Sequence, residues 1–215
     1  MADRYWVGGT GSWNSTAKWS TTSGGASGAS VPTATDNAIF DANSATSNAY
    51  VVTIQASQTC ADLTYTPFAG DGATQFSIIG TFVIAGTFST SGTQGNRRLW
   101  LLSSTESLMR DVSIATIGTV TDVDFRDIRI TGAGGTLTGT RIGDLKGNVG
   151  ITFSTPKTVF RIDAITYWHD DQWAATSGGA VGTDNFPLAQ DTAVFDESTS
   201  AGTTTITTTL PYVGE

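Results

Sequence analysis

Two segments of this chain repeat the same rare residues in nearly the same register. The first reads Tyr5-Trp6, Trp13, Trp19, Thr22-Ser23-Gly24-Gly25-Ala26, Pro32 and Asp36-Asn37-Ala38-Ile39-Phe40-Asp41. The second reads Tyr167-Trp168, Trp173, Thr176-Ser177-Gly178-Gly179-Ala180, Pro187 and Asp191-Thr192-Ala193-Val194-Phe195-Asp196. The last Trp and the Gly pair are equally spaced in both (24 − 19, 178 − 173), as are Pro and the first Asp (36 − 32, 191 − 187). Aligned on Tyr-Trp, the second copy lacks Gly8-Gly9-Thr10-Gly11. Self-similarity of this kind marks a modular architecture.

The residue types suggest how such a module folds. Paired glycines allow positive φ, so a tight irregular loop can form, and indoles can roof it by burying large apolar area. Pro followed by Asp sets up a turn. Ala-Ile-Phe or Ala-Val-Phe then enters a strand, and the module should cap or join β units.

Between the copies run short alternating or apolar segments, at 50–54, 61–65, 76–79, 82–84, 98–102 and 112–114, separated by small turn residues. Hydroxyl residues fill these tracts, and charged residues are only 14%, against about 25% in ordinary globular chains. The branched Cβ of Thr suits a pleated strand. The chain therefore reads as all-β, with a β-solenoid expected and a β-sandwich as the alternative. Val123 and Phe125 share one face, while Ile128 and Ile130 share a face of opposite parity. A bend near Arg126-Asp127 would turn both pairs inward, as at a solenoid corner. The expected organisation is a first module over 1–45, a Thr-rich β unit over 46–165, a second module over 166–199, and the first strand of a following β unit over 200–215. On this reading the chain is a piece of a longer repeating fibre.

The module pattern, Tyr-Trp-Val-Gly-Gly-Thr-Gly-Ser-Trp with Trp19, Gly24-Gly25, Pro32 and 36–41, resembles modules of tailed-phage virion appendages. Similar patterns occur in repetitive bacterial surface adhesins with β-solenoid folds. The resemblance covers about 5–45 and 167–198. It implies a tail fibre, head fibre or capsid-surface component, with other virion proteins as partners and a trimer as the favoured homo-oligomer. It places the protein on a virion released by lysis or, alternatively, on a bacterial cell surface. The start of the chain lacks the basic and apolar segments of a signal peptide, which suits release by lysis.

Net charge is −8, and phosphate backbones bind through Lys and Arg, so no nucleic-acid partner is expected. No apolar run approaches the roughly 20 residues of a membrane span, so membrane insertion is not expected either. Trp6, Trp13, Trp19, Trp168 and Trp173 are the candidate binding residues, as platforms for host surface glycans in a carbohydrate-binding adhesin or receptor-binding module. Set against this is their use as a local core, which the glycine loops favour. Trp100, within Leu99-Trp100-Leu101-Leu102, reads as core. Asp122, Asp124 and Asp127 beside Arg126 and Arg129 raise a polysaccharide depolymerase, since two carboxylates suffice for glycoside hydrolysis. Yet Asp122 and Asp124 alternate with Val123 and Phe125 as solvent-facing residues would. His169-Asp170-Asp171 is the only His context and reads as a solvated turn. Cys60, the single cysteine, reads as a small buried thiol. No enzymatic activity, catalytic residue, metal or cofactor is expected.

Overall fold

A computed structural model of the chain describes residues 1–47, 49–68, 73–92, 97–163, 168, 170–197 and 199. The expected strand within 200–215 lies outside these residues, as do Tyr167 and His169. Strands take up 41% of the chain and helical turns 3%: the protein is all-β, as its hydroxyl-rich alternating tracts require.

In chain order the strands begin with β1 (Ala2–Trp6), β2 (Gly11–Ser12), β3 (Trp19–Ser20), β4 (Asp36–Phe40), β5 (Val51–Ile54) and β6 (Gln58–Cys60). They continue with β7 (Leu63–Tyr65), β8 (Thr74–Ile78), β9 (Phe82–Thr90), β10 (Leu99–Ser103), β11 (Arg110–Ile117) and β12 (Val123–Arg126). The last are β13 (Ile128–Thr131), β14 (Gly143–Asp144), β15 (Thr158–Arg161), β16 (Trp173–Ala174) and β17 (Thr192–Val194). One sheet runs β13-β11-β9-β7-β4-β1-β3, with β6 also on β9, and the other runs β14-β12-β10-β8-β5-β2. From β4 to β14 the chain passes back and forth between these two sheets, and each strand lies parallel to the one from the previous pass.

Register explains why no strict period is visible in the sequence. Val52 lies beside Phe76, Phe76 beside Leu101, and Leu101 beside Phe125, steps of 24, 25 and 24 residues (76 − 52, 101 − 76, 125 − 101). In the other sheet Phe82 lies beside Val112 and Val112 beside Ile130, steps of 30 and 18 (112 − 82, 130 − 112). The strands stay in line while the turns between them change length. All of these apolar residues are buried in one continuous core running from Trp6 to Ile142. Burying a side chain of this size stabilises by about 1.5–3 kcal/mol, so stacking like on like supplies most of the cohesion.

The corners are built by non-glycine residues in the left-handed region. Ser57, Ser107 and Asp127 (φ 63°, 61° and 55°) each stand where the chain leaves the second sheet for the first. One such residue reverses the inward parity, so Val123 and Phe125 before Asp127, and Ile128 and Ile130 after it, all face the core. The expected bend is therefore at Asp127 itself. A non-glycine residue there costs roughly 1–2 kcal/mol. Asp127 offsets part of this through its carboxylate, which accepts the Ser107 amide at 2.8 Å.

The second module has its own small core of Val159, Trp168, Trp173, Phe186 and Leu188. Its sheet, β16-β15-β17, takes its central strand from 158–161, so the module begins before the expected boundary at 166.

Phe40 is fully buried among Trp6, Trp13, Trp19 and Phe76, with ring centroids 4.7–6.0 Å away. Phe40→Ala should cost about 3–5 kcal/mol, read as a lower denaturant midpoint. Burial also pushes the Tyr50 hydroxyl up to about 12. Its folded value lies above the unfolded one of about 10, so the stability linked to it is full below pH ~10 and is lost as pH rises towards 12. Tyr50→Phe should move alkaline unfolding, followed by circular dichroism, to higher pH.

Candidate functional site

The two modules superpose in their pairing, which assigns the candidate tryptophans. In the first, β1 pairs antiparallel with β3 (Tyr5 opposite Ser20, Trp6 opposite Trp19) and parallel with β4 (Tyr5 beside Ile39). In the second, β15 pairs antiparallel with β16 (Phe160 opposite Ala174, Arg161 opposite Trp173) and parallel with β17 (Phe160 beside Val194). Tyr5-Trp6 thus corresponds to Phe160-Arg161, not to Tyr167-Trp168, and the counterpart of Trp168 is Trp13. Trp13 and Trp19 meet edge to face at 4.9 Å, and so do Trp168 and Trp173. The Trp19 indole N–H donates to the Trp13 carbonyl (2.6 Å), and that of Trp173 to the Trp168 carbonyl (3.2 Å). The true offset is a nearly constant 155 residues (168 − 13, 195 − 40), so no Gly8–Gly11 insertion separates the copies.

This frame corrects the platform reading. Trp6, Trp13, Trp19 and Trp173 are 0% exposed and Trp168 is 7%. Rings packed edge to face on one another have no open surface for a sugar, so the five form local cores instead. At the place of Trp6 the second module carries Arg161, also 0% exposed, with its guanidinium 5.2 Å from the Trp173 ring centre. A planar cation can take over an indole's place because it stacks on an aromatic face.

The carboxylates need a larger correction. Asp122 and Asp124 are not solvent-facing: they are 1% and 7% exposed. The Arg98 side chain, 3% exposed, bonds Asp124 through Nε and Nη2, both at 2.6 Å, and the Arg141 carbonyl through Nη2 at 2.6 Å. The Arg141 guanidinium holds Asp122 by two bonds of 2.7 and 2.8 Å and reaches Asp184 at 2.6 Å. Hydrogen bonding to Asp122 raises the Arg141 pKa above its ordinary value. Trp100 is buried on the face of β10 away from the main core, with its indole N–H on Asp124 at 3.1 Å. Gly92 and Gly143 make room, since a Cβ on either would overlap the carboxylates of Asp122 and Asp124. Both carboxylates thus lie inside the fold against arginine guanidinium groups.

The network also joins the second module to the stack. Asp184 sits on Arg141, and the Phe186 ring lies 5.9 Å from the Arg98 guanidinium. The Gln190 side chain accepts from the Asp144 amide (3.0 Å) and donates to the Ile142 carbonyl (3.1 Å), satisfying the outer edge of β14. Beside this joint a groove of about 470 Å³ is lined by Glu106, Arg126, Asp127, Lys146, Gln190 and Thr192. Its charges are paired, Arg126 with Glu106 at 3.1 Å and Lys146 with Asp144 at 3.8 Å.

Asp171 is partly buried, and burial raises its carboxyl pKa. Among the described residues no three His, Cys, Asp or Glu side chains gather to hold a metal. Cys60 is fully buried, and burial pushes its thiol well above the ordinary value. The network escaped sequence reading because Arg98, Asp122, Asp124 and Arg141 come from successive passes whose spacing is known only from the register. No protein-family model matches the chain, nor does any curated protein or solved structure.

Removing one partner of a buried ion pair leaves the other charge uncompensated. Asp124→Ala should therefore cost about 3–5 kcal/mol in denaturant unfolding, and adding Arg98→Met should recover part of the loss.

Proposed function

We propose that this protein is a structural component of a virion appendage or surface, a β-solenoid rod that works through shape and assembly. The single observation that carries the reading is the uninterrupted parallel ladder. Successive passes add parallel strands to both sheets, with two (β6 and β7) joining the first sheet in one pass, and the apolar residues stack along one axis. A sandwich joins its sheets through antiparallel hairpins and Greek-key connections, whereas the strands from β4 to β14 pair in parallel. Such a stack grows by adding passes, which makes a rod rather than a pocket.

The polar chemistry supports the same reading. The side chains that suggested hydrolysis are locked in ion pairs, and those that suggested sugar binding fill the cores. An adhesin would have to bind glycans through another surface. The virion setting, the other virion proteins as partners and the trimer rest on the module pattern and are part of the proposal.

Negative-stain imaging should show rods. Six strands at about 4.8 Å spacing set the stack of the second sheet at roughly 25–30 Å per chain. Sedimentation should give three times the 22.4 kDa chain mass. Rods without glycan-array binding support the proposal; globular particles that bind glycans would shift the assignment to an adhesin.

A further inference from the structure

The seat of the second module on the stack is polar, and one of its carboxyl groups is left without a partner. The stack brings Arg97, Arg98, Arg141, Asp122 and Asp124 to it, and the module brings Asp170, Asp171 and Asp184. Arg98 is taken up by Asp124, and Arg141 by Asp122 and Asp184. Asp170 has the Arg161 charge of its own module within reach. Asp171 differs: its Oδ1 is buried and meets no hydrogen-bond donor among the described residues. On the stack side the Arg97 Nε is buried and equally without an acceptor. Burial, the largest influence on Asp171, raises its carboxyl pKa; Arg141 and Arg97 oppose this, and Asp170 and Asp122 add to it. The outcome is a carboxyl group held across the joint more easily neutral than charged.

We propose that Asp171 makes this seat sensitive to acid: with its carboxyl neutral the second module sits down on the stack, and with the carboxyl ionised the seat loosens. A neutral carboxyl is buried at far lower cost than a carboxylate without a partner. The seated state therefore binds the proton more tightly than the lifted one, in which Asp171 meets water and titrates at about 3.9. The stabilisation of the seat is full below that value and is lost as pH rises through the higher value of the seated state. Protonating Asp184 works the other way, since it removes a bond to Arg141. Gln190 carries the change to the stack, because it holds the Asp144 amide and the Ile142 carbonyl only while the module is seated. The inference goes beyond the fibre reading and does not rest on it.

Exchange of the Asp144 amide in the whole chain, read by nuclear magnetic resonance and corrected for its intrinsic rate, tests this, since its acceptor lies in the second module. Protection should rise about three- to tenfold on going from pH ~7.5 to ~4.5. Asp171→Asn and Asp171→Ser, both permanently neutral, should show the higher protection at both pH values, and Asp171→Glu should keep the dependence. A histidine titrates at about 6.5, so His169→Gln is the control and should change nothing. Flat protection in the native chain overturns the proposal. So does a dependence that survives in the neutral variants, or one that His169→Gln removes.

Discussion

The parallel register between successive passes is the constraint on which the rest depends. A strand in the middle of such a ladder satisfies its backbone donors and acceptors on both sides. Because the side-chain period is two, alignment also decides which residues meet inside. Val52, Phe76, Leu101 and Phe125 form one file only because their strands start in step. A slip of one residue would send the whole file to the outer face. The left-handed corners at Ser57, Ser107 and Asp127 hold that phase, and at Asp127 a single residue absorbs a parity change, while the turns vary in length.

The buried ion pairs follow from the same geometry. Asp124 lies on β12 and Asp122 just before it, at φ 57°, and the neighbouring passes put Arg98 on one side of them and Arg141 on the other. Taking such charges out of water costs several kcal/mol per ion, which close bidentate geometry must repay. Their benefit is specificity: Arg98 and Arg141 have partners at this level of the stack and in this register. The same pairs extend to Asp184 and Phe186, so the second module is seated by the charges that align the last passes. Gln190 closes an edge that would otherwise offer unpaired backbone groups to another chain.

The modules show how far a repeat can drift while keeping its shape. Trp13, Trp19 and Phe40 persist as Trp168, Trp173 and Phe195, with matching ring distances and indole bonds. Arg161 stands at the place of Trp6, with its guanidinium over the Trp173 ring where Trp6 meets Trp19 edge to face. A residue-by-residue match therefore misplaces the strand, because Tyr167-Trp168 looks like Tyr5-Trp6 while Phe160-Arg161 occupies its position.

Much was legible in the residues alone. The hydroxyl-rich alternation dictated strands, the duplicated Trp, Gly and Asp spacing dictated two like modules, and the parity change across Arg126-Asp127 located a corner. Those are local properties, set by side-chain period and by the few residues that tolerate tight turns. Which strands pair, and hence whether Asp122 and Asp124 face water or Arg98 and Arg141, is not local. An alternating carboxylate looks the same on a solvated face as on one covered by the neighbouring pass. Only the stacking of passes of unequal length decides that, because burial and charge pairing belong to neighbours in space and not in the chain.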